Sequence, residues 1–166
     1  SSTLDTIYIL KSNENGYVSF LKPNKPYYLC AQKYAHIGFF SQDNSQIVLQ
    51  NIEDLFETKQ FYLLDSPFNE KKLTEITPKG KRELEYLARS LKETKYVTTI
   101  SVHVHSVNKA EKAQEISEKQ VQVITDILLK NGVNKDNLIV VSYANTSPLI
   151  GWEGKDRIEI GFLLEI

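Results

Sequence analysis

The chain has 166 residues, 41% hydrophobic and 25% charged, with a formal net charge of −1. That suits one soluble globular domain, or one domain with a sizeable extension. There is no long run of one sign, which disfavours nucleic-acid binding by phosphate neutralisation and a polybasic membrane patch, and no apolar run nears the roughly 20 residues that span a bilayer.

The chain does not open with a charged segment followed by an apolar one, so any export signal is expected to have been removed or never to have existed. Thr6 to Leu10 and Tyr17 to Leu21 are short β-rich runs around the turn-forming Ser12-Asn13-Glu14-Asn15-Gly16, which predicts a hairpin. Pro23 and Pro26 bar the next residues from a central strand. Tyr27 to Ala31, Ile37 to Phe40 and Ile47 to Leu49 read as further strands, with a polar turn over Ser41 to Ser45. The single cysteine, Cys30, excludes an intramolecular disulfide. In its apolar run it reads as a buried thiol, with a redox or catalytic thiol as the alternative. Asn51 to Thr58 reads as a short helix with Ile52, Leu55 and Phe56 on one side. Twelve of the 17 aromatic residues precede Asn69. They either close a small β-rich core, cover one face of the main sheet, or form a protein-docking surface. Residues 1–59 are therefore set apart as a β-rich, aromatic N-terminal extension, and 60–166 as the main domain.

Gln60 to Leu64 reads as a buried strand that Asp65-Ser66-Pro67 ends. Thr77-Pro78 opens a helix, with a Thr cap and Pro at the first helical position. Leu84, Leu87, Ala88 and Leu91 give it one apolar face. Ile100, Val102 and Val104 alternate with Thr99, Ser101, His103 and His105, a strand with one buried face. After Ser106-Val107-Asn108 comes a long amphipathic helix, with Ala113, Ile116, Val123, Ile124, Ile127 and Leu128 on one stripe. Asn108 is predicted to cap it, with Glu111 reaching back as in a capping box, and Asn131-Gly132 to end it. Leu138 to Tyr143 and Arg157 to Ile166 are the last strands. The order β-α-β-α-β-β predicts an α+β fold, a two-layer α/β sandwich. A small-molecule pocket is expected near the central strand end, the 106–110 loop and the helix start.

From about Phe61 onward the chain resembles the OmpA-like C-terminal domain, the peptidoglycan-associating module of Gram-negative envelopes. Phe61 to Ser66, Thr77-Pro78 with its leucine face, Ile116-Ser117-Glu118-Lys119, Gly132-Val133, Ser142 to Pro148 and Asp156-Arg157-Ile158-Glu159-Ile160 carry the resemblance, in order and spacing. In that family an Asp after the central strand and an Arg on the long helix hold the diaminopimelate of the stem peptide. Arg pairs with a carboxylate and Asp accepts from an ammonium. Here His105 takes the place of that Asp and Gln120 of that Arg, while Arg157 is retained. The resemblance thus implies a degenerate peptidoglycan pocket at His105, Asn108, Gln120 and Arg157, with peptidoglycan bound weakly or not at all. Losing an Arg–carboxylate pair removes on the order of 2–5 kcal/mol from a partly buried site. Size and layout also resemble small lipoproteins of type IVB secretion systems. That implies a periplasmic, outer-membrane-associated subunit, partnered by other subunits of an envelope complex and lipidated on a Cys just before Ser1.

His103 and His105 point to one strand face, a spacing metal sites can use, but no third ligand is evident. They read as polar residues on a half-exposed face, with a small metal-dependent enzyme as the rival. No nucleophile elbow, P-loop, dinucleotide fingerprint or HExxH is present. Lys109 to Gln122 is a charged helix face whose N-terminal amides can attract an anion. Trp152 is either a local plug or an exposed contact residue. The sequence favours a non-catalytic structural protein with no cofactor. A working peptidoglycan anchor is the first alternative.

Overall fold

The computed structural model describes residues 9–17, 19, 28–29, 31–38, 41–42 and 47–164. Cys30 and most of the two runs flanking the 12–16 turn lie outside them. The turn itself is present: Asn13 Oδ1 accepts from the Asn15 and Tyr17 amides at 3.0 and 2.9 Å, and Gly16 takes φ 80°.

Four two-residue strands follow: β1 (Tyr28–Leu29), β2 (His36–Ile37), β3 (Ser41–Gln42) and β4 (Gln50–Asn51). β1 pairs with β3 and β2 with β4, both antiparallel. The strand expected over Ile47 to Leu49 is absent. The extended pair lies just beyond it, because Asn51 must stay extended to cap α1 (Ile52–Glu57), where its side chain accepts from the Glu53 amide at 2.8 Å.

The main body contains β5 (Tyr62–Asp65), α2 (Pro78–Leu91), β6 (Val97–His103), α3 (Ala110–Lys130), β7 (Leu138–Ala144) and β8 (Arg157–Leu163). They form one four-stranded sheet in the order β5-β8-β6-β7, with β6 and β7 parallel and the other pairs antiparallel. This is the expected α+β sandwich. β5 is only half buried, rather than buried as predicted, because it lies at the sheet edge. β6 starts two residues earlier than predicted, since Val97 and Thr98 already pair with β8. It ends at His103, where a register shift sets His103 against Ala144. β8 stops at Leu163, short of Ile166.

Ile100, Val102, Ile158 and Ile160 face Leu84, Leu87, Ala88, Leu91, Ile124 and Leu128 in one core. Ile37, Ile52 and Leu55 belong to the same core, so the segment before Gln60 packs directly onto the main body. Asn131 and Gly132 (φ 92°) end α3 as the sequence implied. No described helix is long and apolar enough to cross a membrane.

Candidate functional site

Four residues mark the expected pocket, and the structure divides them. Gln120 sits under the segment between β5 and α2. That segment closes on itself. The Thr77 amide and Oγ both donate to the Pro67 carbonyl at 3.0 Å, and Thr77 Oγ accepts from the Gly80 amide at 2.9 Å, as an N-cap should. Phe68 bridges Ile76, and the Asn69 amide donates to the Glu75 carbonyl at 2.9 Å. Gly80 is required here: a Cβ would lie 2.1 Å from the Pro67 carbonyl oxygen. The closed segment lays the Leu73 carbonyl over α3, where Gln120 Nε2 donates to it at 2.6 Å. Gln120 is 1% exposed. Next to it on the buried side of α3, Ser117 Oγ contacts Ser142 Oγ on β7 and donates to the Gln114 carbonyl at 3.0 Å.

His105 and Arg157 meet elsewhere, at the ends of β6 and β8. His105 Nε2 and Arg157 Nη2 converge on one acceptor, the Ser147 carbonyl, at 3.2 and 2.8 Å. Arg157 Nε donates to Glu159 Oε1 at 2.8 Å, and its Nη2 is 2.7 Å from the same oxygen. The guanidinium is buried, and its Nη1 finds no hydrogen-bond partner among the described residues. Beside it His103 is 2% exposed. Its ring lies nearly parallel to His105 and Tyr143, with centroids 6.0 and 5.2 Å away. Among the described residues neither His103 nitrogen has a hydrogen-bond partner, although Nε2 is 3.5 Å from Glu159 Oε2. Burial pushes the imidazole down to about 4; Arg157 and His105 push the same way and Glu159 opposes them. His103 is therefore neutral at pH 7, and the charges here are the Arg157–Glu159 pair.

The loop carrying Asn108 departs from the prediction. α3 opens at Ala110 with Lys109 at its N-cap and no side-chain cap bond, so the Asn108–Glu111 capping box does not form. Tertiary bonds hold the loop instead. Asn145 Nδ2 donates to the Val107 and Asn108 carbonyls at 3.1 and 3.5 Å. The Ser106 amide and hydroxyl each donate to the Asp156 carboxylate at 2.8 Å. The sequence reading placed Asp156, Asn145 and Glu159 within stretches that carry the resemblance but gave them no role; Glu159 lies two residues from Arg157 on one strand face. Trp152 is half buried within local turns to Leu149 and Lys155. Among the described residues no three His, Cys, Asp or Glu side chains gather as metal ligands.

Chemically, this end of the sheet holds one internally neutralised guanidinium and a neutral imidazole, and the helix position 15 residues beyond His105 carries an amide already in use. The fold is shared with solved envelope proteins. The periplasmic domain of Helicobacter pylori MotB matches at 19% identity and TM-score 0.52, over 64% of this chain and 76% of that one. The OmpA-like domain of FopA1 from Francisella tularensis matches at 15% identity and TM-score 0.51, over 87% and 100%. The cell wall anchor of the Pseudomonas aeruginosa type VI secretion system matches at 14% identity and TM-score 0.50, over 69% and 94%. No curated protein sequence matches the chain. Residues 68–159, more than half of the chain, match the OmpA family, and the chain belongs to that family.

Proposed function

We propose that this protein is a non-catalytic structural subunit of an outer-membrane-associated, type IVB-like secretion complex, similar to the DotK (IcmN) lipoproteins of those systems. In this reading a lipidated Cys before Ser1 tethers it on the periplasmic side, other subunits hold it by protein contacts, and its peptidoglycan pocket is degenerate. The observation that carries the reading is Gln120. An amide stands where the resemblance places the ligand-pairing Arg, it is 1% exposed, and its donor is spent on the Leu73 carbonyl. A ligand carboxylate would have to displace that bond and would gain no charge pair in return. At the other position His105 is turned to the Ser147 carbonyl. An imidazole also brings no anionic oxygen to an ammonium, so it replaces an ammonium-binding carboxylate poorly.

The test is co-sedimentation of the purified protein with sacculi. The parent is expected to stay in the supernatant, and His105→Asp with Gln120→Arg to gain binding. Saturable parent binding that free diaminopimelate competes away overturns the degenerate pocket. That outcome would favour the second reading, a working wall anchor, which the likeness to a solved cell wall anchor supports at the level of fold.

A further inference from the structure

Among the described residues, hydrogen bonds tie the loop between β7 and β8, residues 145–156, to the body only near its two ends. At the start, the Ser147 carbonyl accepts from Arg157 Nη2 at 2.8 Å and from His105 Nε2 at 3.2 Å, and Asn145 Nδ2 donates to the Val107 carbonyl at 3.1 Å. At the end, the Asp156 carboxylate holds Ser106 and its carbonyl accepts from the Ser66 amide at 3.3 Å. In between the bonds are local. The Trp152 amide donates to the Leu149 carbonyl, the Lys155 amide to the Trp152 carbonyl and the Gly151 amide to the Glu153 carboxylate. Pro148, Ile150, Glu153 and Lys155 are exposed.

The start of this loop rests on the two groups that flank His103. Arg157 is its register partner on β8, and His105 follows it on β6 with the rings nearly parallel at 6.0 Å. Thr99 and Ser101, the earlier residues on this side of β6, are half-buried, whereas His103 is 2% exposed. The β6–β7 register skips Tyr143, and the bulge lays that ring against the imidazole at 5.2 Å. His103 thus faces His105 on β6, Tyr143 on β7, and Arg157 and Glu159 on β8. Asp65 on β5 lies one strand further, opposite Arg157. The anion within reach is Glu159, whose Oε1 Arg157 already holds and whose Oε2 is 3.5 Å from His103 Nε2. A proton on that nitrogen would set two cations against one carboxylate in a buried site, an arrangement that costs several kcal/mol-scale desolvation without full compensation.

We propose that His103 is a proton-operated latch for the 145–156 loop: a proton taken up at Nε2 draws Glu159 from Arg157 to the imidazolium, and the guanidinium moves out to water with the Ser147 end of the loop. The longer His105 bond to Ser147 then remains alone, and His105 can donate from Nε2 whether neutral or charged. The direction follows from burial, which holds the closed-state imidazole at about 4, below its ordinary 6.5. Opening exposes the ring and restores the ordinary value, so protons favour the open form. The closed form is fully kept above pH 6.5, and the opening equilibrium shifts by up to roughly 300-fold as the pH falls to about 4.

Trp152 is the chain's single tryptophan and lies half-buried in this loop, so its fluorescence reports the loop directly. Glu153 beside it is held below the usual carboxylate range by the Gly151 amide and stays charged in the window used. As the full chain is taken from about pH 7 to about pH 4.5, Trp152 emission should shift to longer wavelength and acrylamide quenching should rise, while far-UV circular dichroism stays constant. His103→Gln cannot take up the proton and should lose the shift; Asp156→Asn, which alters the other end of the loop, should keep it. A shift that survives in folded His103→Gln overturns the latch, as does one that Asp156→Asn abolishes. Should His103→Gln fail to fold, the parent still decides: quenching that stays flat until the dichroism collapses overturns the proposal, because the loop then moves only with global unfolding.

Discussion

The two ends of the candidate site solve the same problem in opposite ways. At Gln120 a neutral amide is buried and its donor is matched by one carbonyl. At Arg157 a charge is buried, neutralised by Glu159 and steadied by Ser147, yet among the described residues Arg157 Nη1 and both nitrogens of His103 have no hydrogen-bond partner. Buried polar groups of the first kind cost little; those of the second hold the structure only while every member is present. On the proposed reading, an amide at position 120 in place of a charge gives up ligand pairing at little structural cost. The charge at Arg157 supports the fold through Glu159 and Ser147.

Removing the guanidinium should break this contrast most sharply. Arg157→Ala leaves Glu159 partly buried without its counter-charge and should cost about 3–5 kcal/mol in urea unfolding. Arg157→Met combined with Glu159→Gln should cost clearly less than Arg157→Ala, as expected for a coupled pair. A loss equal to the sum of the single changes would show that the two side chains act independently.

Next in size is the response to acid. His103 is held at about 4, below its ordinary 6.5, so the unfolded chain binds the proton more readily. Its contribution is fully present above pH 6.5 and is lost as the pH falls toward 4, amounting to about 3 kcal/mol at most. Unfolding curves between those pH values should show the decline, and His103→Gln should flatten it. An equally steep decline in that variant would assign the effect to other groups.

Gln120→Ala is expected to cost about 1–3 kcal/mol, mostly from the stranded Leu73 carbonyl. It should leave the pH response unchanged, which separates the two ends. Smallest is Thr77→Ala, at about 1 kcal/mol, from loss of the cap that also pins Pro67.

What could be read from the chain was whatever depends on neighbours in sequence. Thr77-Pro78 starts a helix, Leu84, Leu87, Ala88 and Leu91 bury one face, and Asn131-Gly132 ends α3, all through bonds within a turn or two. Asn108 failed as a cap because Asn145 and Asp156, 37 to 50 residues away from their partners in sequence, fix the loop before it. The site was half readable for the same reason. The resemblance to the OmpA-like domain nominated His105, Gln120 and Arg157, but their partners at Ser147 and Leu73 are backbone carbonyls, which leave no mark on side-chain pattern. The edge register of β6 and β7 was hidden as well, since Val97 and Thr98 look alike in strand and loop.

The closed segment from Pro67 to Thr77 has a kinetic consequence. Its ends are ten residues apart, so its loop-closure entropy is small, and it can form before distant contacts do. Gln120 lies 47 residues from Leu73 and joins only when α3 docks. By contact order the amide bond there is expected to form after the segment has closed. Gln120→Ala should then speed unfolding more than it slows folding.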